Sequence, residues 1–447
     1  FDISKGIYWG LAILLIYLFF HRFTSKNWLA ILFSAIYPLL SGTRFLLMAF
    51  PQKFLAGLDS KITLLGSSQD MGLPFSKALY ANWVIGGGPP KAYPYGFING
   101  ILKPLVMSHS GTETFALAIV LMIFLLSANT KNPAAKWYLA ILFAYLALAW
   151  ESTYGLLALV IACFFLIQSL LKKGEKNTVC QILLVSGLIS IPLVLLQGGT
   201  MHEMAKSLLN SFLLSTPSTP VQGLEEGLFT FQWPPAIFSG HLGALSVFDP
   251  AQLVVGLCEI GPSIFFIPSI GNWLRSIPQQ TERTVLTLLF LSAMLGLLIP
   301  VFLTYPSSAR DITRFSGYGL SILILLLLLF ILEKWNSQKK LIRFLEVLSV
   351  AAMAVGGFVV GAVQLSALSE PVLSEGIDGW DARISSSVWG ELPGDGWIYD
   401  PASQNWRALI LSGHASPIES AAFSEEDWMN LRAEPHISQF LEKGFEY

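Results

Sequence analysis

The chain contains stretches of helical length with no charge at all, and these constrain its fold more than any motif. Residues 286–303, 320–332 and 347–363 hold no Asp, Glu, Lys or Arg, and about 20 consecutive apolar residues carry a helix across a bilayer. In hydrocarbon every backbone N–H and C=O must be satisfied inside the protein, which leaves helices or closed barrels. The runs are continuous rather than alternating residue by residue, so they are helices. Only 13% of the residues are charged, against about 25% in soluble domains, so water is not the main solvent. The expected fold class is an all-α polytopic membrane protein with a small α/β extracytoplasmic domain at its C-terminus.

Hydropathy places about ten transmembrane helices, at residues 7–20, 28–50, 113–127, 137–150, 154–171, 179–196, 253–270, 284–303, 315–332 and 345–363. Their connectors alternate in charge. His21, Arg22 and Lys26, then Lys131 and Lys136, then Lys172, Lys173 and Lys176, then Arg275 and Arg283, then Lys334, Lys339, Lys340 and Arg343 occupy every second one. Basic connectors stay in the cytoplasm, which puts the long loops 51–112 and 197–252, the turn 306–314 and the C-terminus outside. Residues 1–367 form the transmembrane domain on this reading, and residues 368–447 a separate one. The latter holds 5 Asp and 9 Glu against 3 Arg and 1 Lys, together with Trp380, Trp389, Trp397, Trp406 and Trp428. So many large aromatics ask for a folded core rather than a disordered tail. A helix near 379–392, strands at 396–399 and 408–411 and a helix from Ser424 are expected, the last because Ser-Glu-Glu-Asp supplies an N-cap and first-turn acids.

The residues able to carry chemistry lie in the outer connectors. Loop 51–112 has two separate carboxylates, Asp59 and Asp70, then Gly86-Gly87-Gly88-Pro89-Pro90, then Tyr93-Pro94-Tyr95-Gly96-Phe97, with amphipathic stretches at 75–84 and 97–106. A loop this long is usually functional; the plainer alternative is a cap whose aromatics belong to the interfacial belt. An outer loop with an acid, a Pro-containing aromatic motif, a juxtamembrane helix and a Thr/Phe/Ala-rich span resembles the GT-C class of membrane glycosyltransferases, over roughly residues 28–171. The 93–97 run is similar to the Tyr-Pro-x-Gly-Phe form of that motif. The resemblance implies a polyprenyl-phosphate sugar as donor, Tyr93 and Tyr95 beside the substrate, and a carboxylate acting on the acceptor: Asp70 first, Asp59 second. The class usually has a paired acid in this loop, whereas here the two stand apart. A lone carboxylate can still serve as a base. A divalent metal wants more oxygen ligands than one carboxylate offers, so the cofactor, a divalent ion included, stays open.

Arg310 and Arg314 precede the span at 315–332. Four residues apart, they share a helix face, and a helix N-terminus with guanidinium forks suits a phosphate. The alternative is a snorkelling pair on ordinary lipid headgroups. Glu259, in Leu257-Cys258-Glu259-Ile260-Gly261-Pro262, stands in an apolar run beside a helix break, so it either binds substrate or pairs structurally. Glu151 opens a short hairpin at the same outer face and lines an external cavity on this reading. His202 and His241 lack metal-ligand spacing and are read as solvated or interfacial. The three cysteines also lack it and are read as small hydrophobes, so no residue is singled out as a metal ligand.

Three functions follow: a transferase moving a sugar from a polyprenyl phosphate on the outer face, a transporter or lipid flippase using Glu259, or a non-catalytic assembly subunit. All have membrane lipids as partners and none nucleic acid; the acidic domain offers a surface to a protein partner. The lack of any Asn-x-Ser/Thr acceptor fits a bacterial inner membrane. A periplasmic-type reporter fused after Gly376 is expected to be active, and a cytoplasmic-type reporter silent. The opposite pattern would reverse the topology.

Overall fold

The computed structural model describes residues 3–24, 26–62, 73–85, 88–92, 100–106, 111–128, 134–171, 177–198, 202, 229–304, 312–335, 339–367, 383 and 387–389. The chain divides into two units, Phe1–Ser366 and Ala367–Tyr447. The strands expected at 396–399 and 408–411 and the helix expected from Ser424 fall outside the described residues.

The first unit is helical. Its helices are α1 (Ile3–Phe23), α2 (Asn27–Ile36), α3 (Gln52–Ala56), α4 (Phe75–Ala78), α5 (Gly111–Ser127), α6 (Ala135–Ala149), α7 (Glu151–Leu171), α8 (Thr178–Gln197), α9 (Pro250–Ile260), α10 (Ile267–Ser276), α11 (Gln280–Phe302), α12 (Thr313–Lys334) and α13 (Lys340–Ala367). Its strands form three antiparallel pairs: β1 (Asn82–Ile85) with β2 (Gly88–Ala92), β3 (Thr230–Phe231) with β6 (Leu303–Thr304), and β4 (Ala236–Ser239) with β5 (Gly243–Ser246). By length and composition, α1, α7, α8, α11, α12 and α13 can each cross a membrane.

Because these helices are apolar on every side, close packing rather than hydrophobic contrast sorts their faces. Helix α12 is the hub, with 83% of its apolar window buried against 28% to 44% for the other five. Glycines let α11 meet it backbone to backbone: a Cβ on Gly319 would stand 2.7 Å from the Ala293 carbonyl, and one on Gly296 2.8 Å from that of Phe315. Leu166, Leu170, Leu188 and Phe358 face outward on α7, α8 and α13, as side chains against lipid do.

One end of the bundle collects the basic connectors. Arg22, ending α1, donates to the Ala128 carbonyl past α5 (3.2 Å), Lys26 to that of Leu332 near the end of α12 (3.4 Å), and the Trp273 indole of α10 to the Glu333 carboxylate (2.6 Å).

Two expected spans are not continuous helices. The one at 28–50 stops at Ile36: a 3-10 turn, Tyr37–Leu39, contains Pro38, and a second, Arg44–Ala49, follows an irregular stretch. Proline has no N–H for the ladder. The one at 253–270 breaks at Gly261, whose φ is 85°, and Pro262; Pro250–Ile260 and Pro262–Ser276 diverge by 89°. Helices α5 and α6, with 17 and 15 residues, are short for spans. Among the described residues six helices are long and apolar enough to cross a membrane, accompanied by shorter and interrupted ones. The amphipathic stretch at 75–84 is likewise a short helix running into a strand, and 100–106 is non-helical.

Both interruptions lie at one level of the bundle. Tyr37 donates its hydroxyl to the Ser321 carbonyl (2.8 Å), and Ile260 packs with Ile101 and Leu320. Leu320 is seven residues into α12 from Thr313, about 10 Å below that end at 1.5 Å per residue. Here the broken ends grip each other. The Thr43 N–H donates to the Cys258 carbonyl (2.9 Å), and the Arg44 guanidinium makes a two-pronged ion pair with Glu259. Arg44 is 6% exposed and Glu259 2%. Above this clamp Leu47, Leu55, Phe75, Leu79, Leu245 and Val255 form a second apolar core, which packs parts of the segments 44–79 and 242–255 together. Asp249 caps α9 through the amides of Ala251 and Gln252, and Lys61, 2.6 Å away, holds its carboxyl below the usual aspartate range.

Removing one partner of a buried ion pair typically costs about 3–5 kcal/mol, whereas replacing both with apolar groups of similar volume is close to neutral. Arg44→Ala and Glu259→Ala are each expected to lower the melting temperature of the purified protein sharply. Arg44→Met combined with Glu259→Leu should recover most of it. Three equal melting temperatures would show that the clamp is not structural.

Candidate functional site

A cavity of about 520 Å³ opens at the end of the bundle opposite the basic connectors. Its walls come from five places in the sequence: the irregular segment 101–105, the first turn of α5, the α6–α7 hairpin, the β4–β5 turn and the first turns of α12. Three helices, α5, α7 and α12, start at this rim. A helix N-terminus carries a partial positive charge, which favours an anion.

The charged side chains are arranged as two cation–carboxylate pairs. Lys103 lies 3.3 Å from Glu113, and Arg314 lies 3.8 Å from Glu151. The guanidinium also stacks 5.7 Å from the centre of the Trp150 ring. Its distance from Glu151 is too long for a hydrogen bond, and half-exposed pairs of this kind contribute little. The pair with Glu151 therefore opposes a bound anion at Arg314 only weakly. An arginine in the first turn of a helix opposes the helix dipole, and a negative group beside it offsets that. His241 lines the same cavity, and Tyr318 and Ser321 lie deeper along α12.

The clamp beneath the cavity positions two of these walls. Glu259 accepts a hydrogen bond from the Ser239 hydroxyl (2.9 Å), and Gly240 and His241 follow directly. The Gly240 N–H donates to the Gly100 carbonyl (2.7 Å), one residue before the 101–105 wall. Gly100 has no room for a side chain, because a Cβ there would collide with the Arg44 guanidinium.

Of the residues singled out from sequence, Arg314 lines the cavity, as does Glu151. Glu259 lies behind it, buried against Arg44. Asp59 accepts from both the N–H (2.7 Å) and the hydroxyl (2.9 Å) of Ser76, capping the short helix α4. Asp70, Tyr93, Tyr95 and Arg310 lie outside the described residues. Lys103, Glu113 and Arg44 escaped the sequence reading. Arg44 had a signal, as the only charge within residues 28–50; such residues in a span usually have a job. Lys103 and Glu113 had none, since a charge at the edge of an apolar run is ordinary. Among the described residues no three His, Cys, Asp or Glu side chains come together as a metal site.

Comparison with known proteins finds no family model and no curated protein that matches the chain.

The cavity should take a phosphate. Hydrogen bonds to charged groups contribute roughly 1.5–3 kcal/mol, so Arg314→Ala is expected to weaken binding of a soluble prenyl phosphate about tenfold or more. Arg275→Ala, at the opposite end, should leave it unchanged. Calorimetry on the detergent-purified protein measures both, and equal affinities in all three proteins would remove the anion site.

Proposed function

We propose that this chain is a membrane transferase of the GT-C type, moving a sugar from a polyprenyl phosphate to an acceptor at the non-cytoplasmic face of a bacterial inner membrane. One observation carries the reading: a polar cavity at the end away from the basic connectors, with cations, carboxylates and three helix N-termini around one space. In this reading Lys103 and Arg314 hold the donor phosphate, joined by Arg310, and Trp150 offers a flat face to the sugar. The acceptor oxygen attacks the anomeric carbon while the carbon–oxygen bond to phosphate breaks. The phosphate leaves with the bonding pair, and the acceptor's proton passes to a carboxylate. Asp70 is the base expected from sequence, and Glu151 is the cavity carboxylate best placed to share that role. Ten membrane passages, with the acidic domain 368–447 outside and available to a protein partner, complete the proposal.

A transporter is the second reading, and one observation favours it. Two interrupted helices meet at a buried ionisable pair, as broken helices do at transporter binding sites.

Single-turnover transfer by purified protein, with a panel of polyprenyl-phosphate sugars, separates the two. General-base catalysis contributes about 10² to 10⁴-fold, so Asp70→Asn should lower turnover by that order and leave donor binding within a few-fold. Glu151→Gln tests the second carboxylate in the same assay. Wild-type protein that binds donors and transfers from none would pass the reading to the transporter or to an assembly subunit.

A further inference from the structure

A second hollow, of about 210 Å³, lies between α1, α5 and α6 and is lined by Tyr8, Thr112, Phe115, Tyr145, Leu148 and Ala149. Its walls are almost wholly apolar and aromatic, and the Tyr8 and Phe115 rings stand 5.0 Å apart. It opens sideways: Tyr145 is 51% and Leu148 58% exposed, both in the apolar second half of α6. Thr112 and Ala149 line both this cleft and the polar cavity, so the two spaces share a wall.

We infer that the cleft holds the first units of the donor's isoprenoid chain while its phosphate occupies the cavity at Lys103 and Arg314. The inference rests on the lipid-phosphate reading and adds to it the route: the head enters sideways between α1, α5 and α6, and the tail stays in hydrocarbon. A phosphate alone has no use for an apolar cleft, and a lipid tail alone has no use for two cations. Side by side, the two spaces match one amphipathic molecule. Methyl-branched, unsaturated units lie well against the flat faces of Tyr8, Phe115 and Tyr145, gaining many small dispersion contacts.

The test uses the full-length protein in nanodiscs, with long-chain polyprenyl phosphate, phosphatidic acid and inorganic phosphate as probes. Leu148→Trp, which fills the cleft from its exposed rim, should weaken the polyprenyl phosphate about tenfold, a shift of about 1.4 kcal/mol, and leave inorganic phosphate unchanged. A photo-crosslinking residue at Leu148 should capture the polyprenyl chain in otherwise wild-type protein, which guards against a tryptophan variant that fails to fold. If Arg314→Ala weakens the polyprenyl phosphate while Leu148→Trp does not and no crosslink forms, the cleft assignment falls and the lipid-phosphate reading stands. Equal capture of phosphatidic acid would overturn the isoprenoid assignment. Wild-type protein that holds none of the probes would overturn both readings.

Discussion

The ion pair between Arg44 and Glu259 is the constraint on which the rest of the architecture turns. Glu259 stands in the last turn of α9 and Arg44 opens the 3-10 turn that follows the break after α2, and at either buried position an isolated charge would be costly. Together, with the Ser239 hydroxyl on the carboxylate, they satisfy one another and tie the two chain breaks into one junction. Irregular backbone at membrane depth survives only inside protein or beside water. The junction meets that condition: its backbone groups bond across the break, as from Thr43 to Cys258, and the cavity lies directly above.

From this junction the outer layer is built. Ser239 leads into Gly240 and His241, and Gly100 leads into the 101–105 wall, so one buried pair sets two sides of the cavity. The other sides come from the starts of α5, α7 and α12, which the bundle holds independently. This division separates tasks: the clamp is buried and tightly paired, whereas Arg314 and Glu151 are partly exposed and 3.8 Å apart. Loose pairs can exchange partners, and a binding site needs that.

The helices α5, α7 and α12 run in one direction, so their dipoles align. Basic side chains at one end bond to carbonyls at helix C-termini, as Arg22 does with Ala128 and Lys26 with Leu332, where a positive charge complements the helix dipole. At the other end three helix N-termini surround the cavity. The same backbone field that suits the basic connectors at one end favours an anion at the other.

The apolar helices were legible from sequence because lipid imposes a length and a lack of charge that local composition reports directly. So was the break at Gly261-Pro262, since glycine and proline act on the backbone where they stand. Pro38 carried the same kind of signal, yet the apolar run on both sides of it masked the interruption. That Asp59 caps α4 was not legible, because its partner Ser76 is 17 positions away. The sequence by itself determined which segments are apolar helices, where one of them must stop, and which end collects basic charge; propensity, backbone chemistry and charge bias are all local. Only the tertiary structure decided that Glu259 belongs to Arg44, 215 positions away, and that five separate segments close around one cavity. Pairings across such separations are set by packing against α12, and no local pattern along the chain encodes them.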